Sequence, residues 1–252
     1  MPKTIFITGA TAGFGEACAR KFAEDRERLI LAGRRTDRLE KLQDALKEKS
    51  DVHIMTLDVC DRDAVFSAIE NLPSAFQEID VLVNNAGLAL GLEPAYAADV
   101  KDWEIMVDTN IKGLMYVTRA VLPGMVTRNR GHVVNLGSVA GDYPYPGANV
   151  YGSTKAFVKQ FSRNLRADLN GKNIRVTNIE PGLSESEFSV VRFKGDQDAA
   201  GKVYAGTEPL RPADIADMIR YVVNLPPHVN VNRLEVMATC QAWGHFAIHR
   251  EK

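Results

Sequence analysis

Tyr151 and Lys155 are the residues of this chain whose types and spacing best suit acid–base chemistry. Side chains four residues apart lie on the same face of a helix, so the phenol and the ammonium would be neighbours. A nearby positive charge favours the phenolate, so we expect Lys155 to lower the pKa of Tyr151 toward the range of a general acid or base. Two solvated side chains can have the same spacing, so the interpretation depends on the elements that position the pair.

Those elements alternate between short apolar segments and longer amphipathic segments. The predicted strands cover residues 4–8, 29–32, 53–57, 81–83, 133–136, 174–179 and 233–237, and the first two predicted helices cover residues 14–25 and 36–47. Near-continuous apolar strands separated by helices are typical of a parallel sheet with helices on both faces. The sequence therefore predicts an α/β fold.

A single domain is the predicted organisation of residues 1–252, because no repeat, linker or low-complexity segment interrupts the pattern. The segment at about 184–206 is rich in Ser, Gly, Asp and Lys, which predicts a mobile loop or a short-helix excursion. A tail at 238–252 follows the last predicted strand.

The composition limits the classes of function. The formal net charge is −1, so no overall field would draw the chain to nucleic acid or to an anionic membrane. No apolar run approaches a membrane span, and the N-terminus begins a strand pattern rather than a signal peptide. Cys18, Cys60 and Cys240 are odd in number and far apart, which indicates reduced thiols in a cytoplasmic protein. The histidines lack a metal-ligand spacing, so we expect no metal.

A glycine-rich turn follows the first predicted strand, where a helix is expected to begin. Glycines let the backbone turn tightly and approach a pyrophosphate, which then lies at the positive end of the helix dipole. The spacing differs from the G-x-G-x-x-G fingerprint but serves the same geometry, and a tight connection without a ligand is the alternative. The turn consists of Gly9, Ala10, Thr11, Ala12, Gly13, Phe14 and Gly15.

The end of the second predicted strand distinguishes the two nicotinamide dinucleotides. A carboxylate there would accept the ribose 2′-hydroxyl of NAD, but this chain has Arg34 and Arg35. Guanidinium groups bind a 2′-phosphate through charge-assisted hydrogen bonds, so the sequence predicts NADP(H). Ordinary surface arginines are the alternative, which their position beside the turn disfavours.

Two further strand ends would complete a dinucleotide site. Asp58, with Val59, follows the third predicted strand, where a carboxylate could reach an adenine amino group. Asn85, Ala86 and Gly87 follow the fourth, where small side chains would let the adenosine ribose approach the sheet. Each segment could also be an ordinary loop.

Together with Asn110, Ser138 and the Pro181-Gly182 turn, these motifs resemble the short-chain dehydrogenase/reductase family in order and spacing over nearly the whole chain. The resemblance implies a Rossmann-type fold with a seven-stranded parallel sheet. It also implies hydride transfer to or from nicotinamide and, in most members, a homotetramer.

The resemblance assigns a role to each matched residue. Tyr151 would donate the proton in reduction and accept it in oxidation, and Lys155 would bind the nicotinamide ribose and lower the tyrosine pKa. Ser138 would hydrogen-bond the substrate oxygen, and Asn110 would hold a water that links Lys155 to solvent. The residues expected along the nicotinamide amide are Pro181, Gly182, Leu183 and Ser184. Glu180 stands where a neutral side chain is expected, and nothing in the sequence explains it.

A closer resemblance is to bacterial NADP-dependent 3-hydroxy acid dehydrogenases, which also act on serine and allo-threonine, and to sulfoacetaldehyde reductases, which make isethionate. Residues 84–93, 119–125 and 191–195 carry it, together with the glycine-rich turn. Both substrate types place an anion about two carbons from the reacting carbonyl. Arg192, in the segment at 184–206 that usually covers the substrate, is the candidate anion ligand. A surface arginine in a flexible loop is the alternative.

Tyr145 and the aromatic tail extend this prediction. Tyr145 could add a hydroxyl donor to the same anion, and Phe246 could close the pocket of a neighbouring subunit. Sealing a subunit interface is the alternative role of the tail. A bulky tail would favour a two-carbon sulfonate, so sulfoacetaldehyde is the first-choice substrate. Malonate semialdehyde with 3-hydroxypropionate, L-serine and L-allo-threonine are the alternatives.

Two other classes of protein compete with this interpretation. A non-catalytic NADP-binding regulator would not need the complete set of Asn110, Ser138, Tyr151 and Lys155. Epimerases and dehydratases of related fold generally have longer chains with a separate substrate portion. The sequence therefore favours an NADP-dependent oxidoreductase that acts on a CH–OH group.

Overall fold

Seven parallel strands form the centre of the molecule in the computed structural model, which describes residues 2–244. The strands are β1 (Thr4–Thr8), β2 (Arg28–Gly33), β3 (Val52–Thr56), β4 (Val81–Asn84), β5 (Gly131–Leu136), β6 (Ile174–Pro181) and β7 (Arg233–Val236). Their order across the sheet is β3-β2-β1-β4-β5-β6-β7, and all neighbouring pairs are parallel. This Rossmann-like α/β domain confirms the predicted fold.

Helices connect the strands and cover both faces of the sheet. They are α1 (Gly13–Glu24), α2 (Thr36–Leu46), α3 (Arg62–Glu70), α4 (Val100–Val107), α5 (Leu114–Arg128), α6 (Asn149–Asp168), α7 (Glu187–Arg192), α8 (Gln197–Lys202) and α9 (Pro212–Asn224). Short 3-10 turns occur at Ser74–Phe76 and Val139–Gly141. A π-helical turn at Asp108–Gly113 joins α4 to α5.

Two apolar layers hold the helices against the sheet. Successive side chains of a strand point to opposite faces, so Ile5 joins the layer that contains Phe22 of α1 and Ile219 of α9. Phe6 joins the opposite layer, which contains Val121 of α5. Burial of each such side chain stabilises the fold by about 1.5–3 kcal/mol, before the cost of ordering the chain. The sheet is therefore a rigid support for the loops at its ends.

The strand order reverses between β1 and β4, and this reversal creates a crevice at the carboxyl edge of the sheet. From β1 the chain proceeds outward through β2 and β3, then returns to the other side of β1 to form β4. Loops on the two sides diverge at such a point, which is where ligands of open α/β sheets bind. The predicted segments that begin at Gly9, Arg34, Asp58, Asn85 and Gly182 follow the carboxyl ends of strands at this edge.

The predicted first and last residues of most strands and helices agree with the structure to within one or two residues. β6 runs through Pro181, further than predicted. Asn110 lies in the π-helical turn between α4 and α5. The segment at 184–206 contains the short helices α7 and α8, as the short-helix alternative predicts. In the described residues, 2–244, no helix combines the length and the apolar character that crossing a bilayer requires.

Candidate active site

A cleft of about 510 Å³ lies at the carboxyl edge of the sheet. The predicted site residues that line it are Gly9, Thr11, Ala12, Gly13, Phe14, Arg34, Arg35, Asp58, Val59, Asn85, Ala86, Gly87, Ser138, Tyr145, Tyr151, Lys155, Pro181, Gly182, Leu183, Ser184 and Arg192. Ala10, Gly15 and Asn110 are buried beneath its surface. Phe246 lies outside the described residues.

The glycine-rich turn brings backbone close to backbone at the floor of the cleft. Gly9 has φ +65°, and a Cβ added there would lie 2.9 Å from the Cα of Ala86, so a larger residue would force the two loops apart. The side-chain amide of Asn85 donates to the carbonyl of Gly9 at 3.1 Å and holds the two loops together. At the start of α1, Ala12 offers no capping side chain, so the first helical amides remain available to an anion.

Arginines border the cleft beside this turn. Arg35 donates from Nη2 to the Thr11 hydroxyl at 2.9 Å, and Arg34 is exposed with Nη1 3.8 Å from the Asp58 carboxylate. Arg38, on α2, adds a third guanidinium, and its Nη1 lies 3.4 Å from the Thr11 carbonyl oxygen. The sequence predictions did not include Arg38, which lies three residues after Arg35 in the same arginine-rich segment.

Tyr151 and Lys155 lie side by side on the buried face of α6, as their spacing predicts. The Lys155 Nζ is 5.8 Å from the centre of the Tyr151 ring and donates to the Leu136 carbonyl at 2.8 Å. Both side chains are less than one-tenth exposed. The phenol and the ammonium are therefore held in fixed positions at the inner end of the cleft.

The predicted lowering of the Tyr151 pKa is wrong for this structure. Burial raises the pKa of Tyr151 to about 12, because the phenolate would lose its hydration, and the Ser138 hydroxyl and the Arg192 guanidinium offset only part of this rise. Burial also lowers the pKa of Lys155 to about 8. Desolvation is thus the largest influence on the pKa of both groups.

Ser138 faces Tyr151 from the turn that follows β5. Its hydroxyl accepts a hydrogen bond from the Ala140 amide at 3.1 Å and lies 3.4 Å from the Pro181 carbonyl oxygen. A Cβ added to Gly152 would lie 2.8 Å from the Ala140 carbonyl oxygen, so glycine lets the turn pack directly on α6. This close packing holds the serine hydroxyl next to the phenol.

Asn110 is buried behind the cleft, where its side chain is tied to its neighbours. It accepts a hydrogen bond from the Leu88 amide at 2.9 Å and donates to the Leu88 carbonyl at 2.8 Å and the Thr154 hydroxyl at 3.1 Å. A Cβ on Gly87 would contact both Asn110 Oδ1 and Lys155 Nζ, at 3.2 and 3.5 Å. Asn110 and Lys155 therefore lie on the same side of the cleft wall.

Arg192 and Tyr145 lie together over Tyr151. The Arg192 guanidinium carbon is 5.0 Å from the centre of the Tyr151 ring, and Nη2 donates to the Tyr145 hydroxyl at 2.9 Å. The Nε of Arg192 is buried and has no hydrogen-bond partner among residues 2–244. The backbone of Arg192 is anchored, because its carbonyl accepts from the Gly91 amide at 3.0 Å. The structure thus places a cation with an unused donor beside the phenol.

Glu180, which the sequence left unexplained, is a buried ion-pair partner. Its carboxylate accepts from Arg233 Nε, and Asn178 Nδ2 donates to it at 2.6 Å. Arg233, on β7, also contacts Asp142 and Glu235. Burial raises the pKa of Glu180 against the opposing effect of Arg233. The residue therefore fastens β7 to β6 next to the turn that carries Ser138.

The beginning of the tail reaches the cleft through Gln241, which is not among the predicted site residues. Gln241 lines the cleft, and its Oε1 accepts a hydrogen bond from the Leu183 amide at 2.7 Å. Its amide belongs to no motif, so no sequence signal pointed to it. Trp243 packs on Tyr143, with ring centres 6.2 Å apart.

The arrangement fits NADP(H). Close backbone approach at Gly9 and uncapped amides at the start of α1 suit a pyrophosphate. The guanidinium groups of Arg34 and Arg35, which line the cleft, suit a 2′-phosphate, and Arg38 lies behind them at the Thr11 carbonyl. At the opposite end of the cleft lie Tyr151 and Lys155, where the nicotinamide would be. The donors for both ends of a dinucleotide therefore line the same cleft.

Comparison with known proteins agrees with this geometry. The model of the short chain dehydrogenase family matches residues 3–196. NADP-dependent 3-hydroxy acid dehydrogenase YdfG of Salmonella typhi is 56% identical over 247 residues, which are 98% of this chain and 99% of the relative. Sulfoacetaldehyde reductase 2 of Chromohalobacter salexigens is 54% identical over 252 residues, 100% of both chains. A structure of the closed form of serine dehydrogenase complexed with NADP+ is 53% identical, has a TM-score of 0.96, and covers 98% of this chain and 100% of its own.

Proposed function

This chain belongs to the short-chain dehydrogenase family and is an NADP-dependent oxidoreductase of the CH–OH group, and we propose that it reduces a short aldehyde bearing an anion. The reverse reaction oxidises the corresponding hydroxy compound. The observation that carries the proposal is the guanidinium of Arg192 beside Tyr151, with its buried Nε unpaired among residues 2–244. An anion about two carbons from the carbonyl would bind there while the carbonyl oxygen reaches the phenol.

In the proposed reaction, NADPH supplies the hydride that reaches the carbonyl carbon. The glycine-rich turn binds the pyrophosphate, and Arg34 and Arg35 bind the 2′-phosphate. Asp58 and Val59 lie at the adenine. The residues at the ribose and along the nicotinamide amide are Asn85, Ala86, Gly87, Pro181, Gly182, Leu183 and Ser184. These residues all line the same cleft, apart from Ala10 and Gly15 of the turn, which support it from beneath.

Tyr151 donates the proton that the carbonyl oxygen needs as hydride arrives. Because burial raises the pKa of Tyr151 to about 12, the phenol carries its proton at neutral pH and is ready for reduction. Ser138 hydrogen-bonds the same oxygen and stabilises its developing charge. Lys155, with a pKa near 8, returns a proton to Tyr151 and receives one from solvent along a path beside Asn110. The products are an alcohol and NADP+.

We put sulfoacetaldehyde, which yields isethionate, first among the substrates. The sulfoacetaldehyde reductase of Chromohalobacter salexigens aligns with this chain over its full length, including the aromatic tail. A sulfonate presents three oxygens, which suits the combined donors of Arg192 and Tyr145. The second candidate is a 3-hydroxy acid such as 3-hydroxypropionate, L-serine or L-allo-threonine, which the 56% identity to the 3-hydroxy acid dehydrogenase favours.

The substrate proposal is tested by comparing kcat/KM for sulfoacetaldehyde, malonate semialdehyde and neutral propanal with NADPH, and for L-serine with NADP+. We expect sulfoacetaldehyde to give the highest value. Both anionic aldehydes should exceed propanal by about tenfold or more, because a neutral aldehyde offers no anion to the positive charge and free Nε donor of Arg192. A kcat/KM for propanal equal to those for the anionic aldehydes would contradict the proposal that the substrate carries an anion. A higher value for malonate semialdehyde or serine would favour the second candidate.

We also propose that the segment at 184–206 covers the bound substrate and that the protein works as a cytoplasmic homotetramer. The first part is supported by α7, because Phe188 and Arg192 of this helix line the cleft. The second is supported by the resemblance to a family in which most members are homotetramers. It is also supported by Trp243 at the start of the tail, whose side chain is 66% exposed in the isolated chain.

A further inference from the structure

Glu187, the first residue of α7, extends its carboxylate to two of the arginines at the adenosine end of the cleft. Arg35 Nη1 donates to Oε2 at 3.1 Å, and Arg38 Nη1 donates to Oε1 at 2.6 Å. The same two arginines contact Thr11 in the glycine-rich turn. One carboxylate therefore joins α7, α2 and the phosphate-binding turn at a single point.

This carboxylate is charged at neutral pH. Partial burial opposes ionisation, but hydrogen bonds from Arg38 and Arg35 lower the pKa of Glu187 below its usual value. Glu187 also lines the cleft itself, whereas Glu185, two residues earlier, pairs with Arg211 and does not. The negative charge of Glu187 thus faces the region where a 2′-phosphate would bind.

A 2′-phosphate and the Glu187 carboxylate need the same donors. Both are anions that bind guanidinium groups through charge-assisted hydrogen bonds, and both cannot hold the same N–H groups of Arg35 and Arg38 at once. A 2′-phosphate bound to the same guanidinium groups would also be repelled by the Glu187 carboxylate, because both are negatively charged. A ribose 2′-hydroxyl has the opposite preference, because it can donate to a carboxylate.

We propose that Glu187 is a specificity-determining residue that competes with the coenzyme 2′-phosphate for Arg35 and Arg38. Binding of NADP(H) displaces the carboxylate from the guanidinium groups, and the cost of this exchange weakens NADP(H) binding. NAD(H) does not bear this cost. Glu187 therefore limits the discrimination between the two dinucleotides, and the inference is independent of which substrate the enzyme reduces.

The test uses the full chain and two fragments that differ in the 2′-phosphate, adenosine 2′,5′-bisphosphate and 5′-AMP. Calorimetric titration gives their Kd values for the wild type, Glu187→Gln and the matched control Glu185→Gln. We expect Glu187→Gln to tighten binding of the bisphosphate about fivefold and to change 5′-AMP binding by less than about twofold, since half-exposed ion pairs are of modest strength. Glu185→Gln should leave both Kd values near those of the wild type.

A second background tests whether the effect passes through the arginines. In the presence of Arg38→Gln, the gain from Glu187→Gln should shrink, because one of the contested donors is gone. An unchanged or weaker affinity of Glu187→Gln for the bisphosphate would overturn the proposal. Equal tightening for both fragments would also overturn it, because it would show a general opening of the cleft. A gain of undiminished size in the Arg38→Gln background would contradict competition for Arg38.

Discussion

Burial, more than the neighbouring ammonium, determines the acidity of Tyr151. The phenol pKa rises to about 12 while that of Lys155 falls to about 8, so at neutral pH the tyrosine is an acid with its proton in place. This state suits reduction, in which the carbonyl oxygen must gain a proton. Oxidation needs the phenolate and is favoured as the pH rises.

At the same scale, Arg192 provides a test of substrate recognition. Arg192→Ala should raise KM for sulfoacetaldehyde about tenfold to a hundredfold, because it removes a charge-assisted hydrogen bond to the sulfonate. KM for propanal should change by less than about threefold, since a neutral aldehyde makes no such bond. Steady-state NADPH oxidation with both aldehydes measures the difference.

Lys194→Gln is the matched control for Arg192→Ala. Lys194 lies two residues further along and pairs with Asp102 at 2.8 Å outside the cleft, so its loss removes a cation from the same segment without touching the site. A similar increase in KM for the anionic and the neutral aldehyde in Arg192→Ala would show that Arg192 supports the pocket rather than binding an anion.

At the scale of elements, the pairing of β5 with β6 buries a histidine that makes the fold sensitive to acid. His132 is 2% exposed, and its Nε2 lies 2.8 Å from the Thr177 hydroxyl of β6. Burial lowers the pKa of His132 from 6.5 to about 3, with a smaller contribution from Arg175. The folded state therefore keeps the ring neutral where the unfolded chain would protonate it.

This histidine predicts a specific dependence of stability on pH. Its folded pKa is depressed, so its contribution is present above pH 6.5 and is lost as the pH falls toward 3, at about 1.4 kcal/mol per pH unit. His132→Gln should lower the free energy of unfolding at pH 7 but flatten its decline between pH 6 and pH 4. Urea unfolding at several pH values measures how steeply the free energy of unfolding depends on pH in the wild type and in His132→Gln. Parallel slopes for the two proteins would contradict the assignment.

Most elements could be predicted from the sequence because their signals are local. Runs of apolar residues predicted the strands, and the spacing of Tyr151 and Lys155 predicted that both lie on one face of α6. Contacts between distant segments had no such signal. Arg233 on β7 forms the ion pair that explains the charged side chain of Glu180. Glu187 pairs with Arg35, and only the folded chain brings these two residues together. The direction of the Tyr151 pKa was missed because burial depends on the whole structure.

At the scale of the whole molecule, the reversal of strand order brings the residues proposed to bind the coenzyme and the proposed proton donor to one cleft. The turn after β1 and the loops after β4, β5 and β6 all open at the same edge, so residues from Gly9 to Gln241 converge there. No single segment could supply both the dinucleotide site and the acid. The topology therefore brings both sets of residues together in one cleft.

Assembly provides the prediction at this scale. If the chain is a homotetramer with its tail at a subunit contact, light scattering should give about four times the 27.8 kDa of the chain. Trp243→Ser should shift the protein toward smaller species, because it removes apolar surface from that contact. A monomer for the wild type, or an unchanged tetramer for the variant, would contradict the role of the tail.

The most direct measurement is the rate of NADPH oxidation by Tyr151→Phe with sulfoacetaldehyde, together with its Kd for NADPH. The substitution removes one hydroxyl and keeps the ring that packs on Phe188 and Arg192. We predict that kcat falls by about a hundredfold to ten-thousandfold while the Kd for NADPH changes by less than about twofold. Turnover close to that of the wild type, with coenzyme bound normally, would contradict proton donation by Tyr151.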